Sequence, residues 1–223
     1  METMLQEIKW MAIHCSRTYF ENTNKTRNLM RQALTPALKT AHDRQLIFDS
    51  KELSKNDIYC LTEINRQQFE EHYGQHHRFL LNALLITTYS TLEHTLANIT
   101  RIIYRNLQKN PPKEIYVKDS LSALDKINIQ IDKKLATQTN TLRLVRNILV
   151  HARGEWIHQK PKDLNTIFDS TPHVTRGNFG VLEVAEEYLE ESLILADKLV
   201  IDIITKIDER IENLTSSPEP QHS

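Results

Sequence analysis

The chain has 223 residues, enough for one sizeable hydrophobic core, and its formal net charge at pH 7 is -1. It contains only four glycines and seven prolines. Such breakers are too few for a many-stranded fold, so the composition predicts an all-α protein. The near-neutral charge excludes a protein-wide field that would attract nucleic acid or an anionic membrane, so any RNA contact must be local.

The cysteines and the N-terminus indicate the compartment. Cys15 and Cys60 occupy helix-like segments without the spacing of a metal site or a disulfide framework, which predicts small packed side chains in a reducing cytosol. The opening METMLQEIKW has an early acid and no apolar signal region, and no apolar run reaches the roughly 18 residues that a membrane span needs. We therefore expect a cytoplasmic protein without membrane association.

The N-terminal sequence predicts two helices, the first from a clear apolar pattern and the second from a weaker one. Over residues 5–20 the apolar side chains recur at three-to-four spacing, the pattern of one amphipathic helix, before a polar stretch at 20–28 interrupts it. A weaker helix is predicted over 27–48, where Pro36 would kink or divide it because proline cannot donate the interior hydrogen bond. Both belong to an N-terminal helical extension that we place at residues 1–77.

A stronger helical pattern occupies the middle of the chain. Residues 50–73 combine a serine or asparagine cap with apolar side chains on one face, and Gly74 either ends that helix or bends it. The widest apolar stripe of the first half follows over 78–107 and stops at paired prolines, which cannot continue a helix. Asp119 is then predicted to cap a short helix. We expect an up-and-down helical bundle over residues 78–214.

The segment 154–181 is the most irregular part of the sequence. It holds three of the four glycines and two prolines, so we predict a long insert with a small hairpin at 173–181. A final amphipathic helix is predicted over 182–214, and the tail at 215–223 lacks the apolar residues needed for a fold.

The helix predicted over 137–152 ends in RLVRNILVHAR, and Gly154 supplies its stop. Arg146, Asn147 and His151 form the pattern R-N-x-x-x-H within this stretch. Cations near the C-terminus of a helix also interact favourably with the negative end of its dipole, and an asparagine there needs no catalytic explanation. The residues alone leave both interpretations open.

The order of the elements, with LLITTYSTLEHTLANI in one helix and RNILVHARG at the end of another, resembles the HEPN family, the higher eukaryotes and prokaryotes nucleotide-binding domain. The resemblance covers about residues 78–214. That family carries an arginine, four to six residues and then a histidine near the end of its third helix, often with a polar residue directly after the arginine. Arg146, Asn147 and His151 match this arrangement. The looser pattern also occurs elsewhere in the chain, but without the asparagine.

The resemblance implies a metal-independent endoribonuclease that acts as a toxin or in phage defence. His151 can carry either proton transfer because imidazole titrates near neutral pH, and Arg146 offers a planar fork of donors to phosphate oxygens. Asn147 would orient the imidazole or bind the phosphate. Because about 140° separates Arg146 from His151 around a helix, one helix cannot easily aim both at one atom. The homodimer that the resemblance implies would bring two motifs together across a two-fold axis.

Residues 143–162 contain five arginine and lysine side chains and only one acid, Glu155, which predicts a local basic strip. Such a strip would contact RNA phosphates without reading sequence, although a solvated helix end would look the same. Trp156 would stack on a base or else pack against the bundle. We assign RNA binding to Arg153, Trp156, His158, Lys160 and Lys162, and supporting roles to Glu93 and Arg143, with Glu93 holding Arg146 or else facing solvent.

No cofactor and no metal are predicted. The chain has no HExxH, no glycine-rich phosphate loop and no zinc pattern among its histidines. Arg153 stands where many HEPN toxins that pair with nucleotidyltransferase antitoxins have a tyrosine, so that antitoxin type is not implied, whereas another antitoxin or a defence partner stays open. Two alternatives also stay open: a catalytically inactive helical dimerisation or nucleic-acid-binding or nucleotide-binding module, and a nucleotide-binding regulatory subunit.

Overall fold

The computed structural model describes the chain at residues 10–11, 13–29, 32, 55–112, 116–152, 154–157, 159–177 and 180–215. Side chains are described within these ranges except at residues 55–73, 76 and 211–215. The described residues form six helices and one two-stranded sheet, so the predicted all-α fold is confirmed. Among them we find no helix that combines the length and the hydrophobicity of a transmembrane segment.

Three long helices form the body of the molecule. The elements are α1 (residues 13–29), α2 (Lys55–Asn106), α3 (Val117–Asp125), α4 (Lys133–His151), α5 (Pro161–Ser170), β1 (Val174–Arg176), β2 (Leu182–Val184) and α6 (Glu186–Thr215). Helices α2, α4 and α6 each pack against the other two, and α3 lies against α2. This arrangement is a helical bundle.

The core forms where α2, α4 and α6 meet. Their inward-facing aliphatic side chains recur at three-to-four spacing and are almost fully excluded from water. Each such side chain contributes roughly 1.5–3 kcal/mol by leaving water. The core includes Leu85, Leu92, Leu96, Leu142, Val145, Leu189, Leu199 and Ile203. This packing decides which faces of α2 and α4 remain outside the core, where the candidate site residues lie.

Helix α1 is longer than the sequence pattern predicts. The predicted interruption at 20–28 is wrong, because α1 continues through this polar stretch to residue 29. Thr23 and Thr26 are buried, and the hydroxyl of each donates to the carbonyl oxygen four residues earlier, in the case of Thr23 to Tyr19 at 2.9 Å. Hydrogen bonds of this kind allow hydroxyl side chains to occupy the inner face of a helix.

Several predictions for the termini fall outside the described residues. They concern most of the helix predicted over 27–48, the first residues of the helix predicted over 5–20, and the predicted tail from residue 216 onward. Cys15 is half-buried in α1, and burial raises the pKa of its thiol, as expected for a packed cysteine. The side chain of Cys60 is not among those that the structure describes.

Helix α2 joins two predicted helices into one. The patterns over 50–73 and 78–107 belong to the continuous helix Lys55–Asn106, so Gly74 does not end it. The boundary predicted between residues 77 and 78 therefore falls inside a helix, and α1 contributes to the same hydrophobic core as α2. The division into an extension and a bundle stays a prediction, without a helix end to mark it.

Acidic residues set the starts of α3 and α4. Asp119 is the third residue of α3 rather than its cap, and its carboxylate accepts a hydrogen bond at 3.2 Å from the backbone N–H just before the helix. Helix α4 begins at Lys133 instead of residue 137, because the carboxylate of Asp132 caps its first turn at 2.9 Å. It ends at His151, close to the predicted end, so the candidate motif lies at the C-terminus of a regular helix.

The segment 154–181 contains more regular structure than predicted. Helix α5 begins at Pro161, a residue favoured at the first helical position, and its two inner apolar side chains are buried. A hairpin is present, as predicted, and its strands β1 and β2 pair antiparallel. Because β2 covers Leu182–Val184, α6 starts at Glu186 instead of residue 182.

Candidate functional site

The candidate motif lies on the last two turns of α4. Arg146 and Asn147 are half-buried, whereas His151 is the exposed final residue of the helix. Asn147 and His151 share a helix face, because residues four apart differ by only about 40°. Arg146 and His151 differ by about 140°. His151 makes no hydrogen bond or ion pair with the residues that the structure describes, and the angle of about 140° directs the imidazole and the guanidinium of one protomer to different sides of α4.

Arg146 is held by an aromatic ring and an amide. Its guanidinium carbon lies 5.5 Å from the centre of the Tyr89 ring on α2, and Nη1 donates to Oδ1 of Asn147 at 3.1 Å. The Nε atom is buried and has no hydrogen-bond partner in the described part of the chain. No carboxylate there lies within ion-pair distance of Arg146. The half-buried cation can therefore meet an external anion only through its terminal nitrogens, of which Nη1 already donates to Asn147.

Tyr89 is the site residue that the sequence analysis missed. Its side chain is buried, and its hydroxyl has no hydrogen-bond partner among the described residues. Burial raises the pKa of Tyr89 and the charge of Glu93 raises it further, whereas Arg143 and Arg146 lower it. These four side chains therefore share one neighbourhood between α2 and α4. The only sequence signal for Tyr89 is its position four residues before Glu93, which places both side chains on one face of α2.

The two supporting residues make different contacts. Glu93 is half-buried near Tyr89, but it forms no ion pair with Arg146, which the Tyr89 ring and Asn147 hold instead. Arg143 lies one turn before Arg146 on α4. Its Nε and Nη2 donate to Oδ1 of Asn140, at 3.1 and 2.9 Å. Like Arg146, Arg143 has no carboxylate partner in the described part of the chain.

The predicted RNA-binding residues are only partly brought together. Lys160 and Lys162 are exposed where α5 begins, while Arg153 and His158 lie outside the described residues. Trp156 is half-buried, and its ring makes an edge contact with Phe168, with 6.4 Å between the centroids.

The base-stacking role of Trp156 stays a prediction, and the described contacts of its ring are with the protein itself. The guanidinium carbon of Arg176 lies 5.4 Å from the Trp156 centroid and 4.8 Å from the Phe168 centroid. A cation above the ring occupies the position that a stacked base would take. The alternative interpretation, packing against its own protein, is the one observed.

Histidines outside the motif make contacts within the fold. Nε2 of His77 lies 2.7 Å from a carboxylate oxygen of Glu186, and Nε2 of His94 lies 2.9 Å from the amide nitrogen of Asn98. Within the described residues, histidine, cysteine and carboxylate side chains do not gather in a group of three that could hold a metal ion.

The site can therefore bind an anion and, at its edge, exchange a proton. The guanidinium of Arg146 supplies fixed positive charge in a partly dry position, and His151 supplies an exposed imidazole at the helix end. Comparisons of the chain with known protein families, with curated proteins and with solved structures found no match.

Proposed function

We propose that this protein is a metal-independent endoribonuclease of HEPN type that cleaves RNA at a site shared by two copies of the chain. The observation that carries the proposal is the half-buried Arg146, without a carboxylate partner among the described residues, on the helix that ends at the exposed His151. A partly desolvated cation is costly unless an anion meets it, and a phosphate oxygen would do so. The toxin or phage-defence role follows from the family resemblance alone.

RNA can be cut without a metal by using its own 2′-hydroxyl. A base takes the proton of this hydroxyl as its oxygen bonds to phosphorus, and an acid protonates the 5′-oxygen as its bond to phosphorus breaks. One His151 would be the base and a second His151 the acid. Arg146 would stabilise the negative charge that grows on the phosphate oxygens, through N–H groups already directed by Tyr89 and Asn147.

The geometry of α4 favours a composite site. Arg146 and His151 lie about 140° apart around the helix and about 7.5 Å apart along its axis, so they leave it in different directions. A second copy related by a two-fold axis would place its own His151 near the first Arg146. Such a cleft holds two imidazoles and two guanidiniums, enough for a base, an acid and charge stabilisation.

The experiment that tests this function is RNA cleavage in the presence of EDTA. We expect the wild-type protein to cut mixed RNA, and Arg146→Ala and His151→Ala each to lose activity by about a hundredfold or more. The matched controls are Arg105→Ala and His94→Ala, which remove an exposed arginine and an exposed histidine of α2. Wild-type activity that requires added metal, or control variants as inactive as the motif variants, would contradict the proposal.

Mixed dimers test the shared site. If one His151 is the base and its symmetry mate the acid, a dimer with one His151→Ala subunit is inactive. Mixing wild type with this variant at constant total protein should then lower activity with the square of the wild-type fraction. A linear fall, or full activity from a protein that light scattering finds to be monomeric, contradicts the composite site.

A second candidate function is RNA or nucleotide binding without cleavage. The observation that favours it is the lack of any hydrogen bond from His151 to the described residues, since a catalytic imidazole is normally oriented by a partner. This candidate predicts that the wild-type protein binds RNA and leaves it intact, and that Arg146→Ala weakens the binding while His151→Ala does not.

A further inference from the structure

A cavity of about 380 Å³ lies between α2, α3 and α4, directly beside the motif. Tyr89 contributes both to the lining of this cavity and to the support of Arg146. The volume falls in the range of pockets that hold small organic ligands, about 300–1000 Å³. We propose that the cavity binds a nucleoside monophosphate group. This inference rests on the proposed function in taking an unpaired nucleotide of the RNA substrate as the source of that group.

Two cations at the cavity make an anion the preferred ligand. Arg143 on α4 and Lys118 in the first turn of α3 both line it, and neither has a carboxylate partner in the described part of the chain. Asn140 accepts from Nε and Nη2 of Arg143, which leaves the Nη1 hydrogens available. In a chain with a formal net charge of -1, two cations that line one cavity and have no carboxylate partner in the described residues are suited to a phosphate.

The rest of the lining fits a base. Val117, Leu121 and Ala136 provide apolar walls, as a flat heteroaromatic ring requires. Thr137 and Thr139 also line the cavity, but the hydroxyl of each already donates to a carbonyl oxygen of its own helix. The walls therefore offer few competing hydrogen bonds, and orientation of the base depends on another group.

That group is the hydroxyl of Tyr89. The Tyr89 side chain is 1% exposed, and its hydroxyl has no hydrogen-bond partner among the described residues. A buried polar group without a partner costs roughly 1–3 kcal/mol, and proteins keep few of them. Tyr89 is among the residues that line the cavity, so a base bound there is the partner that we propose for this hydroxyl. This observation is independent of the two cations, and it likewise indicates a ligand.

The position of the cavity connects it to the proposed cleavage site. Arg143 and Arg146 are one turn apart on the same side of α4, and the Tyr89 ring lies beneath Arg146. A nucleotide seated in the cavity would direct the adjoining phosphate of the strand towards Arg146. The cavity would thus select an unpaired nucleotide beside the cleaved bond.

The test is direct binding, measured by calorimetry. The probes are a short single-stranded RNA made resistant to cleavage by 2′-O-methyl groups, the four free nucleoside monophosphates, and inorganic phosphate. We expect Arg143→Gln and Tyr89→Phe each to weaken binding of the RNA and of at least one monophosphate about tenfold. Arg105→Gln, which removes an exposed arginine elsewhere on α2, should bind like the wild type.

Tyr89→Phe is the decisive variant. It removes no charge and only an unpartnered hydroxyl, so the fold should survive, as thermal melting will check. Wild-type affinity of Tyr89→Phe for all probes overturns the proposal, as does equal weakening by Arg105→Gln. Binding of the monophosphates but not of the RNA would identify a free nucleotide as the source instead.

Cleavage assays separate this proposal from the proposed function. If the cavity variants bind the modified RNA poorly while the wild type fails to cut unmodified RNA, only the nuclease function fails. If Arg143→Gln and Tyr89→Phe bind and cleave RNA with wild-type Kd and KM while Arg146→Ala is inactive, only the cavity proposal fails.

Discussion

Two half-buried arginines, each beside a buried tyrosine, occupy different parts of the molecule. Arg27 of α1 forms an ion pair with Asp197 of α6, with side chains 29% and 18% exposed. This pair lies near the buried Tyr19. Arg146 of α4 lies over the ring of the buried Tyr89, and no carboxylate in the described part of the chain meets it.

Under the proposed function, Arg27 is a structural cation, whereas Arg146 is available to bind a ligand. The charge of Arg27 is neutralised within the fold by Asp197, so this ion pair stabilises the packing of α1 against α6. The charge of Arg146 is only partly compensated by an aromatic face and an amide, which attract a cation but carry no net charge. We infer that the protein keeps Arg146 for an external anion, and the following changes test that contrast.

Removal of the carboxylate at the first arginine should have the largest effect on stability. Asp197→Ala leaves Arg27 half-buried without its partner, so we expect the free energy of unfolding to fall by about 2 kcal/mol, less than for a fully buried pair. The matched control is Glu21→Ala, which breaks the exposed pair with Arg17 and should cost less than about 0.5 kcal/mol. Urea unfolding measures both, and equal losses would contradict the structural role of the Arg27 pair.

Alkaline pH should destabilise both regions. Burial raises the pKa of Tyr19 and of Tyr89 above the ordinary value, and it does the same for Tyr188. A raised folded-state pKa means that the unfolded chain loses its phenol protons first. The stabilising contribution is therefore complete below about pH 10 and is lost as pH rises beyond it, by about 1.4 kcal/mol per pH unit for each tyrosine.

Single substitutions assign this loss to individual residues. Tyr19→Phe and Tyr89→Phe should each make the free energy of unfolding fall less steeply with pH, by the contribution of one tyrosine. Urea unfolding between about pH 9 and about pH 11 measures this slope. Tyr116→Phe, which removes an exposed phenol, is the matched control. A slope that none of the buried-tyrosine variants alters would show that other groups titrate.

The sequence predicts the bundle better than its details. Three-to-four spacing of apolar residues correctly predicts a helix that ends near residue 152 and the long helical stretch that became α2. It fails at residues 20–28, where the buried Thr23 is accommodated by a hydrogen bond to the backbone that no apolar pattern reveals. It also fails at Pro161, because the irregular insert predicted over 154–181 includes a proline that in fact occupies the first position of α5.

The candidate site was predictable only along one helix. Four candidate residues are close in sequence, so all of them lie on the second half of α4, although Arg146 and His151 leave it in different directions: Arg143, Arg146, Asn147 and His151. The support from Tyr89 arises across two helices, and the contact of Arg176 with Trp156 joins two sides of the insert. Contacts between distant segments depend on packing, which a single sequence does not reveal.

Arg27 and Arg146 are compared most directly by replacing each with methionine, an uncharged side chain of similar length. Arg146→Met loses a cation–π contact of roughly 0.5–1 kcal/mol but also removes a partly desolvated charge, so stability should stay within about 1 kcal/mol of the wild type. Arg27→Met leaves Asp197 without its partner, and stability should fall by about 2 kcal/mol while RNA cleavage persists. Urea unfolding and the cleavage assay on the same preparations compare the two. If Arg146→Met destabilises the fold as much as Arg27→Met, Arg146 is a structural residue, because its charge would then be satisfied from within the protein.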